Sequence, residues 1–285
     1  MDRLNWKLKG MAFRLLAFMP FGGWVYRQLQ RHVTRNSLLT ITPALLRLHQ
    51  YHVTNYLRGP GGRAVEFGGG RELLSPLLLS RAGASEVLVY DIERLSSAAQ
   101  VNHCIRQLRS MLPGEWPEIT DCDGDLQQKY RIRYVAPGDV RATGLPDGSV
   151  GFICSTSTLE HIPAADIVLI VDECVRIAAR GAVLSQVIDY TDHYRYSDAA
   201  ISMFNFYRFG ELAWRWWSPA NHYQNRLRHS DFEKIFARPE LSALEVQPRL
   251  AEPEQIAAVP LAARFRNCSR ADLLTLSAYF VLQRV

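Results

Sequence analysis

The chain lacks an apolar run long enough to cross a bilayer, a cysteine pair at zinc or redox spacing, an internal repeat and a low-complexity tract. Its most apolar stretch, Met11–Trp24, is too short and too interrupted for a span, which needs about 20 residues. Nor is there a clean apolar core followed by a small-residue cleavage site, so no secretory leader is expected. The five cysteines (Cys104, Cys122, Cys154, Cys174, Cys268) are dispersed, which points to reduced thiols and a cytoplasmic location. Acidic residues are nearly missing from residues 1–59, where nine basic side chains (Arg3, Lys7, Lys9, Arg14, Arg27, Arg31, Arg35, Arg47, Arg58) face Asp2 alone. The formal charge of +5 therefore belongs to this extension. No RRM, KH or helix-turn-helix pattern accompanies it, so nucleic acid is not an expected partner. Asp121-Cys122-Asp123-Gly124-Asp125 lacks the glycine and glutamate positions of a calcium loop; a solvated turn is expected there, and no metal.

What is present suits one sizeable α/β domain with additions, with 285 residues, 48% hydrophobic and 21% charged. The organising stretch is Arg63–Glu93, a strand, a glycine turn, a helix and a second strand. Gly68, Gly69 and Gly70 let the backbone turn sharply and approach a ligand. Leu73, Leu74, Leu77 and Leu78 recur at helical spacing within Glu72–Arg81. Val87–Tyr90 is apolar, and Asp91 closes it at the carboxyl end, where open α/β sheets bind ligands. A dinucleotide fingerprint would need a third glycine where Leu73 stands, and Glu66 before the turn would repel a pyrophosphate. Glu66 suits instead a ligand carrying an ammonium and a sulfonium, and Asp91 can accept two ribose hydroxyls.

This arrangement resembles motifs I and II of the class I S-adenosylmethionine (SAM) methyltransferases, of the type 11-like kind. The run Leu145–Pro163 is similar to the signature around their fourth strand, with Gly151 standing where an aspartate is usual. The resemblance implies SAM as cofactor. It implies contacts from Glu66, Gly68, Gly69, Gly70, Asp91, Ile92, Val140 and Ser155, with Asp139 at the adenine amino group. It also implies a Rossmann-like, seven-stranded, mostly parallel sheet flanked by helices, with its last pair antiparallel. Strands are expected at Ile132–Val135, Val150–Ser155, Ala182–Ile188, Leu241–Gln247 and Leu273–Arg284. Helices are expected at Ala98–Met111 and Ile167–Ala179, the latter stopped by Arg180-Gly181. The methyltransferase domain is expected over residues 60–285.

Between strand five and the next helix, residues 189–229 are dense in aromatic, histidine, amide and arginine side chains, as expected of an inserted substrate lid. The pattern there resembles bacterial methyltransferases of cell-surface polysaccharide and glycan pathways, and suggests methylation of a sugar hydroxyl or a related small-molecule acceptor. His193 can serve as general base, with Asp192 or Asp189 orienting it. Arg226 and Arg228 can clamp an acidic group, and His161, Tyr190, Tyr194, Asn205 and Asn225 complete the expected acceptor contacts. His161 is read as a positioning residue, and the tryptophans as lid packing. A SAM-binding scaffold without turnover is the alternative, and a nicotinamide oxidoreductase a weaker one.

The extension is expected to be helical. Leu4–Phe21 mixes apolar and basic residues and could cap the core or lie on an anionic membrane surface at the inner face. Arg27–Leu57 reads as one or two further helices, with Pro43 placed as a helix start.

Overall fold

The structure is a computed structural model that describes residues 5–25, 28 and 38–285; Arg3, Arg27, Arg31 and Arg35, and any helix over 29–37, lie outside the described residues. In chain order the helices are α1 (Trp6–Phe18), α2 (Pro43–Tyr56), α3 (Leu74–Arg81), α4 (Ala98–Met111), α5 (Gly124–Tyr130), α6 (Ala164–Ile177), α7 (Glu211–Trp217), α8 (His229–Phe236), α9 (Glu254–Ala257) and α10 (Arg270–Leu274). The strands are β1 (Arg63–Phe67), β2 (Glu86–Tyr90), β3 (Ile132–Val135), β4 (Val150–Thr156), β5 (Ala178–Asp189), β6 (Leu241–Leu250) and β7 (Thr275–Arg284). They form one seven-stranded sheet in the order β3-β2-β1-β4-β5-β7-β6. β1 to β5 run parallel, and β7 is antiparallel to both β5 and β6.

Alternation along the central strands divides the core between two faces. Ala64, Val87, Val89, Phe152 and Cys154 pack with α3, α4 and α5 on one side. Val65, Leu88, Tyr90, Ile153 and Leu184 pack with α6 and α8 on the other. Strand order reverses between β1 and β4, so their carboxyl ends diverge into a crevice.

Three local differences from the sequence reading have identifiable causes. Leu73 takes a left-handed backbone (φ 52°), which delays the start of α3 to Leu74. Arg180-Gly181 does not stop α6; that helix ends at Ile177, and Gly181 (φ 80°) lies inside β5, where the register shifts opposite Val150 and Phe152. Asp121 and Asp123 are exposed as expected, with Cys122 buried between them, and the turn leads directly into α5. Asp121 Oδ1 accepts from the backbone N–H groups of Asp123 and Asp125 and so shapes that entry. Gly151 also has a structural reason, because a Cβ there would come within 1.8 Å of the Gly61 carbonyl oxygen.

α2 starts as expected, with Thr42 capping Leu45 and Pro43 in the first turn. It is fastened to the sheet through His52, which bonds Ser185 and Thr156, and through Asn55, which donates to Ser185. The segment 189–229 is itself closely packed. Tyr194, Phe204, Phe206, Tyr207 and Trp214 join Trp6 of α1 and Phe265 in a third apolar cluster. Gly10 brings α1 down onto it, since a Cβ at that position would sit 2.7 Å from the Trp217 ring.

Candidate active site

At the crevice lies a cavity of about 680 Å³. Its floor is the turn after β1. Gly68 N donates to Tyr90 O, locking the turn to the end of β2. Gly68 has φ 70°, and a Cβ on it would lie 2.4 Å from Thr158 Oγ1. A Cβ on Gly69 would lie 2.5 Å from a Val89 methyl. Glycine is therefore dictated twice, by backbone angle and close approach at Gly68 and by packing at Gly69. Gly68 and Gly70 line the cavity, whereas Gly69 faces away from it.

Asp91, Ile92, Asp139 and Val140 line the same cavity, as the sequence reading expects. Burial pushes Asp91 up to about 6. Asp139 is paired with Arg141 at 2.7 Å, and Arg141 also reaches Asp166 at 2.6 Å. The Arg141 hydrogen bonds hold Asp139 below the usual carboxylate range.

Glu66 and Ser155 do not reach the cavity. Glu66 is 2% exposed beneath the turn, with Oε2 unbonded among the described residues, and burial pushes it up to about 8. An ammonium contact from its carboxylate is therefore not what the geometry provides. The Ser155 hydroxyl is buried against Gln186 between strands.

The opposite wall is built from His161, the last residue of the short 3₁₀ turn that follows β4, and from Asn221, His222 and Tyr223. His161 Nδ1 lies 2.9 Å from the Tyr223 carbonyl oxygen. A carbonyl only accepts, so Nδ1 carries the proton and Nε2 keeps its lone pair. Asn221 donates from Nδ2 to Phe13 O of α1, while its buried Oδ1 makes no hydrogen bond among the described residues. Burial pushes His222 down to about 3, so it is a neutral imidazole.

His193 stands behind this wall rather than on it. Its ring lies 4.7 Å from that of His161, and Nε2 is 3.5 Å from Asp189 Oδ2 and 4.0 Å from Glu160 Oε1. Asp189, not Asp192, is thus its carboxylate neighbour. Asp192 is fully buried and engaged by Tyr194 N and Asn205 Nδ2. Burial works against the Asp189 carboxylate, but His193, Tyr196 and Thr191 outweigh it and hold it below its ordinary range. Glu160 is raised by burial and by the Asp189 charge. Glu160, His161 and His193 each offer a ligand atom, all within 4.8 Å of one another, so these three could hold a metal ion.

Most of the expected acceptor contacts are structural. Arg226 is buried, donating to the carbonyls of Phe206 and Phe209 and pairing with Glu211. Arg228 is buried too, donating to the carbonyls of Tyr190, Asp272 and Thr275. Both are buried and committed to these partners, and neither lines the cavity. Tyr190 is 2% exposed, and Tyr194 is fully buried and donates to Trp217 O. Asn205 holds Asp192, and Asn225 ties the turn at His161 by donating to the carbonyls of Leu159 and Ile162. Thr158, Arg141, Asn221, His222 and Tyr223 line the cavity without having been singled out. The first two follow strand ends, a positional signal; the others carried only the chemical density of the insert.

No protein-family model matches the sequence, and no curated protein matches it. Among solved structures, a geranyl diphosphate methyltransferase in complex with SAM is similar at 15% identity and a TM-score of 0.51, over 84% of this chain and 85% of that one. A SAM-dependent methyltransferase from Methanosarcina mazei is 14% identical with a TM-score of 0.46, over 87% and 99% of the two chains. A magnesium protoporphyrin IX methyltransferase from Synechocystis is 12% identical with a TM-score of 0.47, over 87% and 89%. The first of these establishes the fold as the Rossmann-like fold of SAM-dependent methyltransferases.

Proposed function

We propose that the protein is a SAM-dependent methyltransferase whose acceptor is a hydroxyl-bearing small molecule, a sugar or other glycan unit. The observation that carries this reading is the composition of one cavity: a glycine turn and two strand-end carboxylates on one side, imidazole and amide groups on the other. Asp91 is placed to accept from the ribose, with Ile92 and Val140 against the adenine. A volume of about 680 Å³ falls in the range of small-molecule sites and suits a cofactor with a compact acceptor. Leu73, buried at the entry to α3, works against a pyrophosphate seated on that helix and so against a nicotinamide dinucleotide.

Methyl transfer is an in-line displacement, so most of the acceleration comes from holding oxygen, methyl and sulfur collinear. His161, rather than His193, is the imidazole on the acceptor side of the cavity, and it positions the acceptor hydroxyl. The test is incubation with methyl-labelled SAM and a panel of sugars, nucleotide sugars and phenols. A methylated product is expected, with kcat lowered about 100-fold or more in His161→Ala. Cofactor binding without transfer to any hydroxyl acceptor would instead favour a scaffold role.

We also propose that the protein is cytoplasmic and rests on an anionic membrane through α1. Its inward face (Trp6, Gly10, Phe13) packs on the segment 189–229, while Leu8, Met11 and Leu15 form an exposed outward stripe continued by Phe18, whose ring also meets Trp216, and by Met19 just beyond the helix. Lys7 and Arg14 flank that stripe, and among the described residues no helix is long and apolar enough to cross a membrane. Such a helix lies in the interface plane. Cosedimentation with phosphatidylglycerol vesicles is expected, reduced by salt and abolished in Leu15→Glu/Phe18→Glu; recovery in the supernatant at low salt would refute the membrane placement.

A further inference from the structure

We propose that Glu160, His161 and His193 form a binding site for one divalent first-row transition-metal cation, of the zinc, cobalt or manganese type, opening onto the acceptor wall of the cavity. Two imidazoles and a carboxylate make the donor set of sites that keep a fourth position open, and imidazoles argue against calcium or magnesium.

The strongest support is the state of the buried groups. Glu160 is 2% exposed, and neither carboxylate oxygen makes a hydrogen bond among the described residues. His193 Nε2, likewise buried, has no hydrogen-bond partner among the described residues and lies 4.0 Å from Glu160 Oε1. Leaving both Glu160 oxygens unbonded, with His193 Nε2 meeting only carboxylate oxygens at 3.5 and 4.0 Å, is expensive, and one cation would satisfy all of them. Ligand atoms about 2 Å from a tetrahedral ion lie about 3.3 Å apart, so a small side-chain shift closes the observed set.

The surroundings are those of an oriented ligand set. His161 donates from Nδ1 to the Tyr223 carbonyl, which frees Nε2 as the metal-binding nitrogen. The backbone carrying Glu160 is fixed by Asn225, whose N–H donates to Glu160 O and whose side chain donates to Leu159 O and Ile162 O. Asp189 Oδ2, 3.5 Å from His193 Nε2, stands ready as a fourth ligand or as the acceptor of a proton from bound water. Because His161 lines the cavity, the open coordination position faces the place of the acceptor; that last point rests on the methyl-transfer reading, whereas the site itself does not.

The test uses the full chain freed of metal by chelation and titrated with Co(II), followed by competition with Zn(II). The expected result is one equivalent of Co(II) with visible ligand-field bands that include imidazole ligation, displaced by Zn(II). Affinity should fall at least tenfold in Glu160→Gln and in His193→Gln, each checked for unaltered circular dichroism. His161→Asn, on the cavity wall and least exposed to a folding defect, is expected to give the same loss. No stoichiometric binding by the wild type, or equal affinity in wild type and His161→Asn, would overturn the proposal. Stoichiometric binding combined with chelator-resistant methyl transfer would keep the site and remove it from the reaction.

Discussion

Asp91, held at about 6 by burial, is ionised at neutral pH but protonated in mildly acidic solution. A carboxylate can accept from two ribose hydroxyls, and the neutral acid does so more weakly. Affinity for S-adenosylhomocysteine should therefore fall as pH drops through 6, approaching a loss of about tenfold per unit, and the dependence should flatten in Asp91→Asn. Calorimetric titration across that range checks both. Glu66 shows the opposite use of burial. Its folded value of about 8 lies above its ordinary 4.5, so the folded state retains a proton that the unfolded state has lost between those limits. Stability contributed by this group is present below 4.5 and declines as pH rises toward 8. Glu66→Gln should remove that slope and gain on the wild type as pH rises, read from urea midpoints at a series of pH values. The positions of Gly68, Asp91 and Asp139 were legible in the sequence because a tight turn and a strand end constrain residue type locally. Arg226 and Arg228 were misread for a corresponding reason: an arginine that satisfies carbonyls and one that binds an anion look alike until the burial is known.

Among the elements, the segment 189–229 departs furthest from its sequence reading. Its aromatic and polar density belongs largely to its own core, from which Arg228 joins the Tyr190 carbonyl to those of Asp272 and Thr275 on a second stretch of chain. Arg228→Leu should destabilise the fold by about 3 kcal/mol, because several buried carbonyls lose their donors together. A fall in denaturant midpoint with unchanged cofactor affinity in the folded fraction would identify the role as structural; a loss of affinity at unchanged stability would return Arg228 to the site. The helices α2 and α4 were legible in the sequence, Pro43 marking the start of one, and the structure adds the caps Thr42 and Ser97. α5 was not, because a glycine at its start and a polar sequence give no amphipathic signal. α1 shows a further limit, since apolar residues on both of its faces blur the periodicity that would assign either one.

At the scale of the whole molecule, the alternation of strands and helices identifies the fold, and the reversal of strand order between β1 and β4 places the cavity. The acceptor wall could not be anticipated, because it depends on how the segment 220–223 returns to meet His161, a long-range contact with no local signature. The cavity is proposed to bind SAM through Asp91. Isothermal titration of the purified protein with S-adenosylhomocysteine, repeated on Asp91→Ala, tests it most directly. Micromolar binding by the wild type that is lost in the folded variant is the predicted result, and absence of binding by the wild type would contradict the account.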